Sequence, residues 1–421
     1  MAKVNIVIHS YPPDFGAAPF FFQDIAWALK KDGHDVEIMT AHPFYPTNRI
    51  QKEYRGKWIV EEEVNGIKVR RHWFSTGQNA SKIARLFGMI SLGLSFLGSF
   101  PHLLKRKPEV FLIQTPPLLQ PFTALIFAKL LGAKVYLNVS DLWPSAIADL
   151  GLLSKKSLTY SLLSKFERFF YRSSDKLFAQ SEEIRDHILA ATSLPSTLCR
   201  TGVDTSKFEK KLSYSRSNGE PLKLVYTGVL GVAHGLFNLC QRTDFKSFNC
   251  ELHIYGDGFE AKAIKNYIDA NPDSGIFLHP TVSFSEIPQL LQSFDAALIC
   301  QRAHVYGTVP AKMYESLAVG LPILFNGAGE GAEMIKKYEC GLVSCPESIE
   351  EFQKNLCTLQ DKPIDELMKM GDNGRKLAVS QLEREVHIHE IAKSLKTVFH
   401  VEVNSKPIHK HSTYANYYNS K

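Results

Sequence analysis

Lys312 and Glu315 carry the first chemistry that stands out in this chain. They lie in Thr308–Phe325, TVPAKMYESLAVGLPILF. Pro310 suits the first turn of a helix, where a missing N–H costs nothing, and Gly320 suits the left-handed residue just past a helix end. A helix between them puts Lys312 in its first turn, where a cation opposes the helix dipole, and Glu315 on the same face. The loop Gly307-Thr308-Val309 then offers backbone N–H groups at the helix N-terminus, an anion site. N–H donors, an ammonium and a carboxylate on one face match a nucleoside diphosphate: the first two suit phosphates, the carboxylate suits ribose hydroxyls. The same spacing also fits an i, i+3 ion pair on a solvated surface.

These residues need a scaffold. At 421 residues the chain is long for one core and suggests two domains. In the first half, apolar runs at Val4–His9, Asp35–Thr40, Glu109–Ile113, Lys134–Asn138 and Lys176–Ala179 alternate with helical patterns. Asn65-Gly66 between two further strands is a hairpin signal. In the second half, Leu222–Tyr226, Glu251–Tyr255, Ile276–His279, Ala296–Ile299 and Ile323–Phe325 repeat the alternation. This βα order predicts an α/β protein built from two Rossmann-like, doubly wound domains. Ligands of such sheets sit at the carboxyl ends of the strands. Four segments fall there: Gly16-Ala17 before the first helix, Asp141 after Asn138, Gly228 to Gly231, and Gly256. Tight turns account equally well for the glycines, and a helix cap for Asp141.

Pro310-x-Lys312-x-Tyr314-Glu315, followed by Leu317-Ala318-x-Gly320-x-Pro322-Ile323, resembles the signature of retaining glycosyltransferases of family four. Asp141-Leu142-Trp143-Pro144 resembles the subgroup that builds capsule, O-antigen and colanic acid. The resemblance implies a GT-B fold, with two domains facing across a cleft. It divides the chain into an acceptor domain (1–200), a nucleotide-sugar domain (201–380), a helix crossing back (381–400) and a tail (401–421). It also implies a nucleoside-diphosphate sugar, most simply UDP-linked, as co-substrate, and a lipid-linked saccharide as acceptor. Asp141 and Lys312 become the catalytic candidates. Donor contacts are expected from Gly16, Ala17, Gly228, Gly231, Gly256, Ser283, Gly307, Thr308, Val309, Lys312 and Glu315. Ser283 equally suits an N-cap. The family's first Glu, eight residues before Glu315, is replaced by Gly307, and its Arg and Lys near Gly228 are absent, with His234 in their place.

No cofactor and no metal are expected: the chain has no Asp-x-Asp, and its seven cysteines form no C-x-x-C pair. Residues 1–200 carry 25 Lys and Arg against 17 Asp and Glu, whereas residues 201–421 carry 24 against 26. A basic half points to an anionic partner; without a nucleic-acid motif, a membrane or a pyrophosphate is expected. The start MAKVNIVIHS reads as a strand rather than a secretion signal, which suggests a cytoplasmic protein. Leu86–Pro101 is uncharged and bracketed by Lys82, Arg85, Lys105, Arg106 and Lys107, so it is expected to lie on the inner face of the cytoplasmic membrane. A buried helix is the alternative. Two other functions share the fold: a UDP-sugar epimerase, which needs no acceptor, and a non-catalytic assembly partner.

Overall fold

The computed structural model describes residues 1–398 apart from 46–47, 77–81, 214–215, 218 and 347. The 401–421 tail and the side chains of Lys82 and Arg85 lie outside the described residues.

Eight strands form the first sheet: β1 (Lys3–Val7), β2 (Asp35–Ala41), β3 (Ile59–Val64), β4 (Ile67–His72), β5 (Val110–Thr115), β6 (Lys134–Val139), β7 (Lys176–Ala179) and β8 (Thr197–Leu198). Their order is β3-β4-β2-β1-β5-β6-β7-β8. All pairs are parallel except the β3–β4 hairpin, which turns through Asn65 and Gly66, both at positive φ. The second sheet is wholly parallel: β9 (Leu222–Thr227), β10 (Cys250–Tyr255), β11 (Ile276–His279), β12 (Ala296–Cys300), β13 (Ile323–Asn326) and β14 (Gly341–Ser344), in the order β11-β10-β9-β12-β13-β14. The short β8 and β14 were not foreseen from sequence. Strands buried on both faces are mostly apolar, as in the Val-Phe-Leu-Ile start of β5 and the Ala-Ala-Leu-Ile-Cys of β12; the one polar residue inside β1, Asn5, is buried and donates to Glu37.

In each sheet the winding reverses beside the first strand: β1 lies between β2 and β5, and β9 between β10 and β12. The carboxyl ends of β1 and β9 are therefore the switch points, where loops diverge and leave a crevice. The helical run expected over 364–398 is two helices, Ile364–Gln381 and Arg384–Val398. The second belongs to the first domain's core, where Ile391 and Leu395 pack with Val4, Ile6 and Phe21. Arg384 ties it to Asp24 at 3.0 Å.

The stretch 82–106 is also two helices, Lys82–Leu97 and Phe100–Arg106, which meet at a bend of 45°. Leu92, Phe96 and Leu103 are buried, while Phe87, Ile90, Leu94 and Leu97 face outward. Arg106 corrects the expected ring of free basic residues. Its guanidinium is buried against Asp35 and Glu37, at 2.8 and 3.2 Å. Among the described residues no single helix is long and apolar enough to cross a membrane.

Candidate functional site

The central helix runs Ala311–Val319, with Pro310 just before it and Gly320 left-handed (φ 81°) just after it. Met313, Tyr314, Leu317 and Ala318 are buried, so only a narrow face stays accessible. Lys312 and Glu315 lie on that face, half-buried, and form no ion pair. The solvated-pair reading therefore falls. The Lys312 Nζ sits 3.8 Å from the centre of the Tyr226 ring, at the carboxyl end of β9. It has no hydrogen-bond partner, and burial pushes its pKa down to about 8. Burial also pushes the Glu315 carboxyl up to about 7, with Arg384 and Lys312 partly offsetting it. Two groups whose charged forms are poorly solvated, close together at a switch point, are candidates for binding a ligand.

The structure corrects the anion site expected at Gly307 and Thr308. Gly307 N–H donates to Glu183 Oε2 at 2.6 Å, and Thr308 N–H donates to the Val305 carbonyl at 3.1 Å. This loop docks on the first domain instead of waiting for phosphate. Ser181 Oγ donates to the Gly307 carbonyl at 2.8 Å, and Tyr306 N–H donates to Asp149 at 3.2 Å. Buried backbone groups need partners, and the first domain supplies them. Gly228 N–H is likewise taken, by the Tyr255 carbonyl at 2.9 Å.

Between the domains lies a cleft of about 310 Å³, lined by Ala17, Asp141, Gly307, Thr308 and Val309 among the expected residues. Asp141 is not a helix cap: the next helix, Ser145–Asp149, is preceded by Pro144 and has no side-chain cap. Asp141 instead accepts a 2.9 Å hydrogen bond from the Thr308 hydroxyl, across the domain boundary. Burial raises its pKa to about 6, against the Thr308 bond. Lys312, Glu315 and Gly228 are not part of this lining; Gly228 lies against Lys312, whose Nζ a Cβ there would meet at 3.6 Å.

Four expected contacts have other work. Gly256 is glycine because a Cβ would fall 2.0 Å from the Gly228 carbonyl oxygen, so it lets two loops touch. Gly231 accepts from His234 N–H at 2.9 Å in a turn. Ser283 is not an N-cap; its N–H and hydroxyl both engage Glu286, which itself precedes the Ile287–Leu291 helix. Gly16 caps the Ala17–Lys31 helix through its backbone, at φ 138°. The loop after Ser283 closes on the first domain, where Phe284 stacks on Phe20 at 4.9 Å.

Four residues not singled out from sequence belong to the site. His9, two residues past β1, lines the cleft with Nδ1 buried and unpartnered, and burial pushes its pKa down to about 4. Glu183 holds Gly307. Glu330 pairs with Arg200 and accepts the Glu183 N–H at 3.1 Å. Tyr226 carries the Lys312 ammonium. A polar residue closing an apolar run was the available signal for His9. His234, where a family cation is missing, is held neutral by burial and by Lys312.

Residues 16–200 match the glycosyl transferase 4-like domain, and residues 224–362 match the glycosyl transferases group 1 domain. WcaI of Escherichia coli K12, whose name assigns it as a glycosyl transferase of colanic acid biosynthesis, is 24% identical over 76% of this chain and 81% of its own. WbjE of Pseudomonas aeruginosa, named as a glycosyltransferase, is 25% identical over 52% of this chain and 57% of its own. In fold, the chain is similar to Anabaena HepE in complex with UDP and glucose (TM-score 0.67, 13% identity, 94% of this chain and 100% of that one). It is equally similar to WaaG, a glycosyltransferase involved in lipopolysaccharide biosynthesis (TM-score 0.66, 15% identity, 93% and 99%). With both domain models matched in order on two doubly wound sheets, the chain belongs to the glycosyltransferases of the GT-B fold.

Proposed function

We propose that this glycosyltransferase moves a sugar from a nucleoside-diphosphate donor, most simply UDP-linked, to a lipid-linked saccharide during surface polysaccharide assembly, with retention at the anomeric carbon. The observation that carries the donor half is the Lys312 ammonium, buried without a hydrogen-bond partner beside the β9 switch point. A diphosphate brought there supplies the missing counter-charge, and the ammonium stabilises it as it leaves. Glu315, one turn on, is placed to accept from ribose hydroxyls. The cleft that Asp141 and Thr308 line then takes the sugar and the acceptor hydroxyl. On the retaining reading, the leaving phosphate accepts the acceptor's proton on the same face. Lys312 gives the leaving group its electrostatic support, so turnover should persist in EDTA.

The acceptor half rests on the relatives' names and on the outer face of the Lys82–Leu97 helix. Phe87, Ile90, Leu94 and Leu97 form one exposed apolar stripe. Exposed Lys105 and Lys107 stand beside it, and Ile126 and Leu130 of the adjoining helix extend it. A stripe of this kind beside cations suits the interface of an anionic leaflet. The test is mass spectrometry of products after offering UDP- and GDP-sugars with polyprenyl-linked saccharides. Transfer to the lipid-linked acceptor supports the proposal; sugar-nucleotide isomerisation without acceptor would replace it with an epimerase.

A further inference from the structure

Position 307 is where the family signature has a carboxylate, and here it is glycine. The surroundings show why no side chain fits. Gly307 has φ +88°, and a Cβ on it would lie 2.8 Å from Ile184 Cγ1 and 3.3 Å from Leu142 Cδ1. Its N–H and carbonyl are both held by the first domain, through Glu183 and Ser181. The very next residue, Thr308, gives its hydroxyl to a carboxylate arriving from the other side of the cleft, Asp141, at 2.9 Å. Asp141, Gly307 and Thr308 line the same cleft.

We infer that Asp141, the one carboxylate among the described residues lining this cleft, accepts hydrogen bonds from the donor's sugar hydroxyls, from the opposite domain. This rests on the donor reading above and adds a division of labour. The nucleoside diphosphate is held by the second domain alone, through Lys312 and Glu315. The sugar is held by Asp141, so sugar recognition requires the docked arrangement of the two domains. Thr308 fixes the carboxylate through one oxygen and leaves the rest of its acceptor capacity to the ligand.

The test is calorimetric titration of wild type, Asp141→Asn and Thr308→Val with UDP, UDP-glucose, UDP-N-acetylglucosamine, GDP and GDP-mannose. Asp141→Asn is expected to weaken the bound nucleotide sugar on the order of tenfold or more, the scale of one charge-assisted contact, and to leave UDP or GDP affinity unchanged. Thr308→Val, which removes the brace and keeps the carboxylate, is expected to retain most of the sugar-nucleotide affinity. Unchanged sugar-nucleotide binding by Asp141→Asn overturns the inference. Equal losses in the two variants overturn it as well, because Asp141 would then only brace the loop. Loss of UDP or GDP affinity in Asp141→Asn does the same. Absence of nucleotide binding by wild type overturns the donor reading and this inference with it.

Discussion

The Lys312 ammonium lies 3.8 Å over the Tyr226 ring with no hydrogen-bond partner, so the free protein holds a charge it solvates poorly. The aromatic face gives only part of what water would give. Lys312→Met should therefore raise the melting temperature of the free protein and remove most nucleotide affinity, tenfold or more. Thermal unfolding with and without UDP checks both halves. A variant that is less stable and still binds UDP would contradict the role.

The same lysine sets a pH limit on donor binding. Its pKa is lowered to about 8 by burial, so the charged form that attracts a diphosphate is lost as pH rises through that value. UDP affinity measured from pH 6 to 9.5 should fall on the alkaline side, and Lys312→Arg, charged throughout, should flatten the fall.

Glu315 acts on stability in a defined window. Its folded pKa is raised from 4.5 to about 7 by burial, so the folded state holds the proton more tightly than the unfolded chain. That contribution is fully present below pH 4.5 and is lost as pH rises through 7. The stability of wild type relative to Glu315→Gln should accordingly decline across this interval. A difference independent of pH would contradict the burial of an ionisable carboxylate.

Restoring the signature's Glu at position 307 should harm the enzyme. Gly307→Glu places a side chain against Ile184 and Leu142 and separates the loop from Ser181 and Glu183. Turnover is expected to drop on the order of a hundredfold, as for ångström-scale misplacement of a reacting centre. Higher turnover in the variant would show that the docking has no catalytic value.

These contrasts show where the sequence was legible. Pro310 and Gly320 bounded the central helix because capping is local, and Asn65-Gly66 marked the hairpin for the same reason. Apolar runs located most strands of both sheets; β8, two residues long, was too short to register, and β14 opens on a glycine, which weakens a strand pattern. Lys312 and Glu315 were recognised as a pair, but their direction was not. Whether a helix face meets water or Tyr226 depends on a strand some 90 residues earlier. The docking of Gly307 and Thr308 escaped for the same reason, since Ser181, Glu183 and Asp141 lie in the other domain. Periodicity carries no record of such contacts.

Membrane contact is expected through the outer face of the Lys82–Leu97 helix. Leu94→Glu with Phe87→Ser alters exposed residues only, so the fold should persist while sedimentation with anionic vesicles is lost. Changing Lys105 and Lys107 to Glu should weaken binding by about 1 kcal/mol or more per residue. Equal sedimentation of all three proteins would make the stripe an incidental surface.

The account turns on sugar transfer from a nucleotide donor with retention. Its most direct test is the NMR spectrum of the purified lipid-linked product, read at the new anomeric centre. An anomeric coupling constant of the same class as the donor's is the predicted result. An inverted centre, or an acceptor recovered without a new sugar while the donor is consumed, would contradict it.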